Sequence, residues 1–129
     1  MRAIDTNIIV RFLTGDDPEQ AGKARQLVGQ GAIFVATSVM LESEWVLRSA
    51  YGFSARQIVA ALRAFAGLPG VRLEDGPLVA CALGWTEQGL DFADALHLAR
   101  AGGCAAFVTF DRRLAKAAAP LTKVEIILP

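Results

Sequence analysis

Two cysteines and one histidine among 129 residues leave little room for thiol or imidazole chemistry. Cys81 and Cys104 have no close thiol or histidine spacing, so neither zinc nor a redox pair is indicated. Both are expected as buried free thiols in a reducing cytosol. With His97 alone, a Ser-His-Asp or His-rich metal mechanism is hard to assemble. Charge of one sign is also missing: 13 basic and 13 acidic side chains give a net charge of zero. Bulk electrostatics therefore neither propose nor exclude a nucleic-acid partner. No apolar run reaches the ~18 residues of a membrane span. The opening Met1-Arg2-Ala3-Ile4-Asp5 places an acid where an export signal needs apolar residues, so a cytoplasmic location is expected. Repeats, low-complexity tracts and linkers are absent as well. What remains is a hydrophobic content of 53% and one expected domain, 1–129, burying about two-thirds of its unfolded surface.

Short apolar runs alternate with segments of helical period. Residues 1–4, 33–36, 106–110 and 124–128 read as strands, with a further one near Val71–Leu73. Asp17-Pro18-Glu19-Gln20 offers an N-cap, a proline at the first helical position and a glutamine at the third. Ser54-Ala55-Arg56-Gln57 has the capping-box pattern. Helices are also expected over 38–51, capped by Ser38, and from near Asp91 to Gly102-Gly103. Strands separated by helices predict an α/β fold with a mostly parallel sheet and helices on both faces. Ligands of such sheets sit beyond the carboxyl ends of the strands.

Acids fall at those places. Asp5 follows the first strand and Asp111 follows Val108-Thr109-Phe110; each also suits a helix N-cap. Glu42 shares a helical face with Val39, Trp45 and Val46 and has no local cation, whereas Glu44 has Arg48 four residues on for a surface ion pair. Asp91 caps the next helix, and Asp94 lies in its first turn. If Asp5, Glu42, Asp94 and Asp111 converge, each pair at ~6 Å and an effective dielectric of ~20 costs about 3 kcal/mol. Protons or divalent cations must then neutralise the site. All-oxygen ligands select a hard ion, Mg²⁺ or Mn²⁺, which suits phosphodiester hydrolysis.

In order and spacing these residues resemble the PIN-domain ribonucleases, and within them the toxins of bacterial VapBC-type toxin–antitoxin pairs. Ile4-Asp5-Thr6-Asn7-Ile8 is similar to the first motif, with Asp5 as metal ligand and Asn7 in support. Leu41-Glu42-Ser43-Glu44-Trp45 is similar to the second, in which Glu42 matches the acid. Asp91-Phe92-Ala93-Asp94 resembles the third, with Asp94 the core acid and Asp91 auxiliary. Thr109-Phe110-Asp111 resembles the fourth, with Asp111 the last acid and Thr109 a supporting hydroxyl. The resemblance implies a five-stranded parallel sheet, a divalent-metal endoribonuclease acting on RNA, a homodimer, and inhibition by a cognate antitoxin. Arg112 and Arg113 follow Asp111 directly, and at least one of them, Arg112 first, is expected to reach the RNA backbone.

Two other classes stay open. A haloacid-dehalogenase-like phosphohydrolase expects a second Asp two residues after the first, where Asn7 stands, and a well-placed lysine that Lys23, Lys116 and Lys123 do not obviously supply. A non-enzymatic protein-binding module would use the acids as caps, which leaves Glu42 unexplained. Trp45, Tyr51, Phe53, Leu62 and Phe65 carry more apolar surface than one small sheet needs, and they are the expected homodimer surface.

Overall fold

The computed structural model describes all residues, Met1–Pro129, as two compact units, Met1–Gly76 and Pro77–Pro129. In the first, β1 (Arg2–Ala3), β2 (Ile33–Val35) and β3 (Val71–Leu73) form a parallel ladder in that order, with Arg2 opposite Ile33 and Ile33 opposite Val71. Helices α1 (Thr6–Thr14) and α2 (Pro18–Gly29) connect β1 to β2, and α3 (Thr37–Ser49) and α4 (Ala55–Ala66) connect β2 to β3. The second unit holds α5 (Gly76–Glu87), α6 (Phe92–Arg100), β4 (Ala106–Val108), α7 (Arg112–Ala118) and β5 (Glu125–Ile127). Its strands β4 and β5 pair in parallel, Val108 opposite Ile127. No helix is long and apolar enough to cross a membrane.

The α/β alternation and all five strand positions match the sequence reading, but the single five-stranded sheet does not. The ladders stop at three strands and two. The strands are short: β1 has two residues and the others three. Strands this short offer few ladder bonds with which to extend a sheet.

Local signals set the helix starts. Asp17 accepts a hydrogen bond from the Gln20 amide at 3.1 Å, with Pro18 next to it. The capping box forms in both directions: the Ser54 amide donates to Gln57 at 2.9 Å, and the Gln57 amide to Ser54 at 3.2 Å. Ser38 is not the cap of α3. That helix starts one residue earlier, without a side-chain cap at Ala36, and Glu74 at the end of β3 accepts from the Thr37 amide at 2.8 Å. Gly70, at φ +86°, is required where β2 and β3 start: a Cβ there would lie 2.6 Å from the Gly31 carbonyl oxygen.

Three expectations about burial are corrected. Both cysteines are exposed, because α5 buries Leu78, Val79, Ala82, Leu83 and Thr86, which turns Cys81 outward, and Cys104 lies in the turn after α6. Leu62 and Phe65 are buried, Phe65 edge-on to Phe12 at 5.3 Å, so neither is available to a partner. Trp45 and Phe53 do stay exposed, at 56% and 39%, with Tyr51 stacked on Phe53. Finally, α3 buries the stripe Met40, Ser43, Glu44 and Leu47 rather than the face of Val39, Glu42 and Trp45. Glu44, 4% exposed, is therefore a buried carboxylate held by Arg48 at 2.8 Å, not half of a surface pair.

Candidate functional site

Asp5 and Glu42 belong to the first unit. Asp5 follows β1 and caps α1, its Oδ1 accepting from the Thr6 amide at 2.7 Å. The buried Thr6 hydroxyl donates to Glu42 Oε1 in α3. Thr6 thus touches both acids, through its amide and its hydroxyl, and it is the residue the sequence reading missed. Asn7, assigned the supporting role there, is exposed. The only local signal for Thr6 was its place directly after Asp5, with a hydroxyl one atom off the backbone. Glu42 is itself exposed, so its significance does not come from being stranded on an apolar face. The Thr6 hydroxyl orients it.

The second unit gathers Asp91, Asp94 and Asp111 around a cavity of about 840 Å³. Asp91 caps α6, accepting from the Asp94 amide at 3.1 Å. Asp111 caps α7, accepting from the Leu114 amide at 2.9 Å, and its own amide donates to Thr109 Oγ1 at 3.0 Å. Thr109 therefore supports Asp111 by fixing the turn. Asp94 holds its proton above the usual carboxylate range. Burial is the main cause, the charges of Asp91 and Asp111 add to it, and His97 opposes it. Arg113 and Lys116, three residues apart on α7, also line the cavity, and Arg112 does not. Of the two arginines expected there, Arg113 lines the cavity, and Lys116 stands with it beside the acids.

The structure therefore relates Asp5 to Glu42 through Thr6, and Asp94 to Asp91 and Asp111 around one cavity. No three His, Cys, Asp or Glu side chains close into a finished metal cage. The donor chemistry nonetheless fits a hard divalent cation: every candidate ligand is a carboxylate oxygen, and neighbouring negative charge already penalises ionisation of Asp94.

Comparison with known proteins gives three results. A family model described as PIN domain matches residues 3–120. No curated protein matches the chain. Among solved structures, the chain is similar to Mycobacterium tuberculosis VapC20, a sarcin-ricin-loop-cleaving toxin, at 22% identity and a TM-score of 0.45, covering 91% of this chain and 95% of that one.

Proposed function

The chain belongs to the PIN domain family, and on that premise we propose that it is a divalent-metal-dependent endoribonuclease, the toxin of a toxin–antitoxin pair. One observation carries the reading: a single cavity joins Asp91, Asp94 and Asp111 to Arg113 and Lys116. Carboxylates there suit a cation and the two basic side chains suit a phosphate, a combination that phosphodiester cleavage needs and a helix cap does not.

Asp5, Glu42, Asp94 and Asp111 are the residues that would hold Mg²⁺ or Mn²⁺. The ion would offset their charge, polarise the phosphate and promote ionisation of water. Asp91 holds the start of α6, and with it Asp94, in place. Thr109 does the same for Asp111, and Thr6 aims Glu42. Arg113 and Lys116 take phosphate oxygens, Arg113 in the two-pronged geometry suited to them. Trp45, Tyr51 and Phe53 form the reduced surface offered to a second copy of the chain, and the cognate antitoxin and a cytoplasmic location belong to the same proposal. The dehalogenase-like alternative loses to family membership.

Two measurements test the reading. Purified protein incubated with total cellular RNA and Mn²⁺ should create new ends bearing 5′-phosphate and 3′-hydroxyl groups, since water rather than the neighbouring 2′-hydroxyl attacks phosphorus. Ends with 5′-hydroxyl, or the same ends from Asp94→Asn, count against it. Thr6→Val, which keeps shape but removes the donor to Glu42, should slow cleavage about tenfold and move the melting temperature by less than about 4 °C. An unchanged rate would remove Thr6 from the machinery.

A further inference from the structure

Helix α3 carries Glu42, yet its own residues do little to fix where it begins. Ala36, at the N-cap position, has no side-chain oxygen to offer, and the first turn holds no acid. Thr37 Oγ1 is buried and bonds nothing. The missing acceptor comes from another strand. Glu74, directly after β3, accepts from the Thr37 amide at 2.8 Å, and its own amide donates to the Val35 carbonyl at 2.9 Å. One residue therefore clamps the end of β2 and the start of α3 together, on a register that already sets Val35 opposite Leu73. No ion pair engages the Glu74 carboxylate. Glu42 follows Thr37 by about one and a half helical turns.

We propose that Glu74 is a positioning residue of the metal site: it fixes the start of α3, and through that helix it fixes Glu42 against Thr6 and Asp5. This rests on the ribonuclease reading and goes beyond it, since Glu74 bonds none of the proposed ligands. The first amides of a helix have no carbonyl within the helix to meet, so an uncapped start frays. The Glu42 side chain makes one hydrogen bond, from the Thr6 hydroxyl, and is otherwise exposed. The backbone of α3 must supply the rest of its placement. A carboxylate at the amino end of a helix also meets the positive end of the dipole, which favours Glu74 where it stands. Residues that orient a metal ligand weigh on ion affinity although they do not touch the ion. A cap that served stability alone would lower the melting temperature and leave ion affinity unchanged.

Calorimetric titration of the full chain with Mn²⁺, beside thermal melts in EDTA, separates the two roles. Glu74→Ala should raise the Mn²⁺ Kd about tenfold and lower the melting temperature by about 4 °C. Asp17→Ala, which removes the side-chain cap of α2, should cost a similar melting shift and keep the wild-type Kd. Glu74→Gln retains an oxygen acceptor and should bind Mn²⁺ nearly as the wild type does. Ala36→Ser, added to Glu74→Ala, gives α3 a cap of its own and should recover most of the lost affinity. An unchanged Kd in Glu74→Ala, an equal loss in Asp17→Ala or in Glu74→Gln, or no recovery with Ala36→Ser overturns the proposal. Failure of the underlying reading looks different. Wild-type protein would then bind Mn²⁺ in a Glu74-dependent way and leave cellular RNA uncut, whereas a wild type that takes up no Mn²⁺ overturns both.

Discussion

Asp94→Asn is expected to lower RNA cleavage by at least about a hundredfold while raising the melting temperature of the metal-free protein. The two effects have one origin. Burial and the charges of Asp91 and Asp111 lift the Asp94 carboxyl above its ordinary range, with His97 opposing. A carboxyl that keeps its proton to higher pH when folded than when unfolded weakens the fold once ionised. The penalty is fully present above the raised folded pKa and disappears as pH falls into the ordinary carboxylate range. Asparagine removes the charge at every pH. Its gain at pH 7 should be on the order of 1 °C, since Asp94 is half-buried and solvent screens it. The gain should shrink to nothing near the ordinary aspartate value of 3.8. Melting curves in EDTA at both pH values, beside cleavage rates in Mn²⁺, check both parts. A lowered melting temperature at pH 7 would mean that Asp94 serves the fold rather than the chemistry.

Features decided by neighbours in sequence were legible, and those decided by distant partners were not. The caps at Asp17, Ser54 and Asp91 depend on an amide three residues away, so the residue types suffice. Strand positions were legible for the same reason. Pairing was not, because ladders of two and three residues are settled by tertiary packing. Glu74 bonds the Thr37 amide across 37 positions, and Thr6 bonds Glu42 across 36, so neither leaves a local pattern. On α3, apolar residues occur on more than one face, and the periodicity around Glu42 fitted a stripe that packing did not select. The acids after β1 and β4 stood out in the sequence, since helix starts and parallel-strand ends put carboxylates in the same places. Arg113 was legible beside Arg112, and Lys116 was readable in principle, since its spacing of three from Arg113 puts the two on one face of α7.

Chelation by EDTA is expected to abolish cleavage. Mg²⁺ or Mn²⁺ at about 100 times its Kd should stabilise the fold by about 2.7 kcal/mol, raising the melting temperature by roughly 10 °C. An ion that binds only the folded chain must do this by mass action, and here it also relieves repulsion that the fold itself creates around Asp94. The shift separates the enzyme from a protein-binding module, whose capping acids would already be satisfied by amides and would gain nothing from a cation. Asp5, Asp91 and Asp111 do bond such amides, but each of these bonds engages a single carboxylate oxygen. Capping and ion binding are therefore compatible, and the melt rather than the hydrogen-bond pattern decides between them. Asp94→Asn supplies the internal control. It removes one proposed ligand and the repulsion together, so the variant should start higher in EDTA and gain less from Mn²⁺ than the wild type. Equal gains in both proteins would place the ion elsewhere, and no gain in either would leave the acids as caps alone.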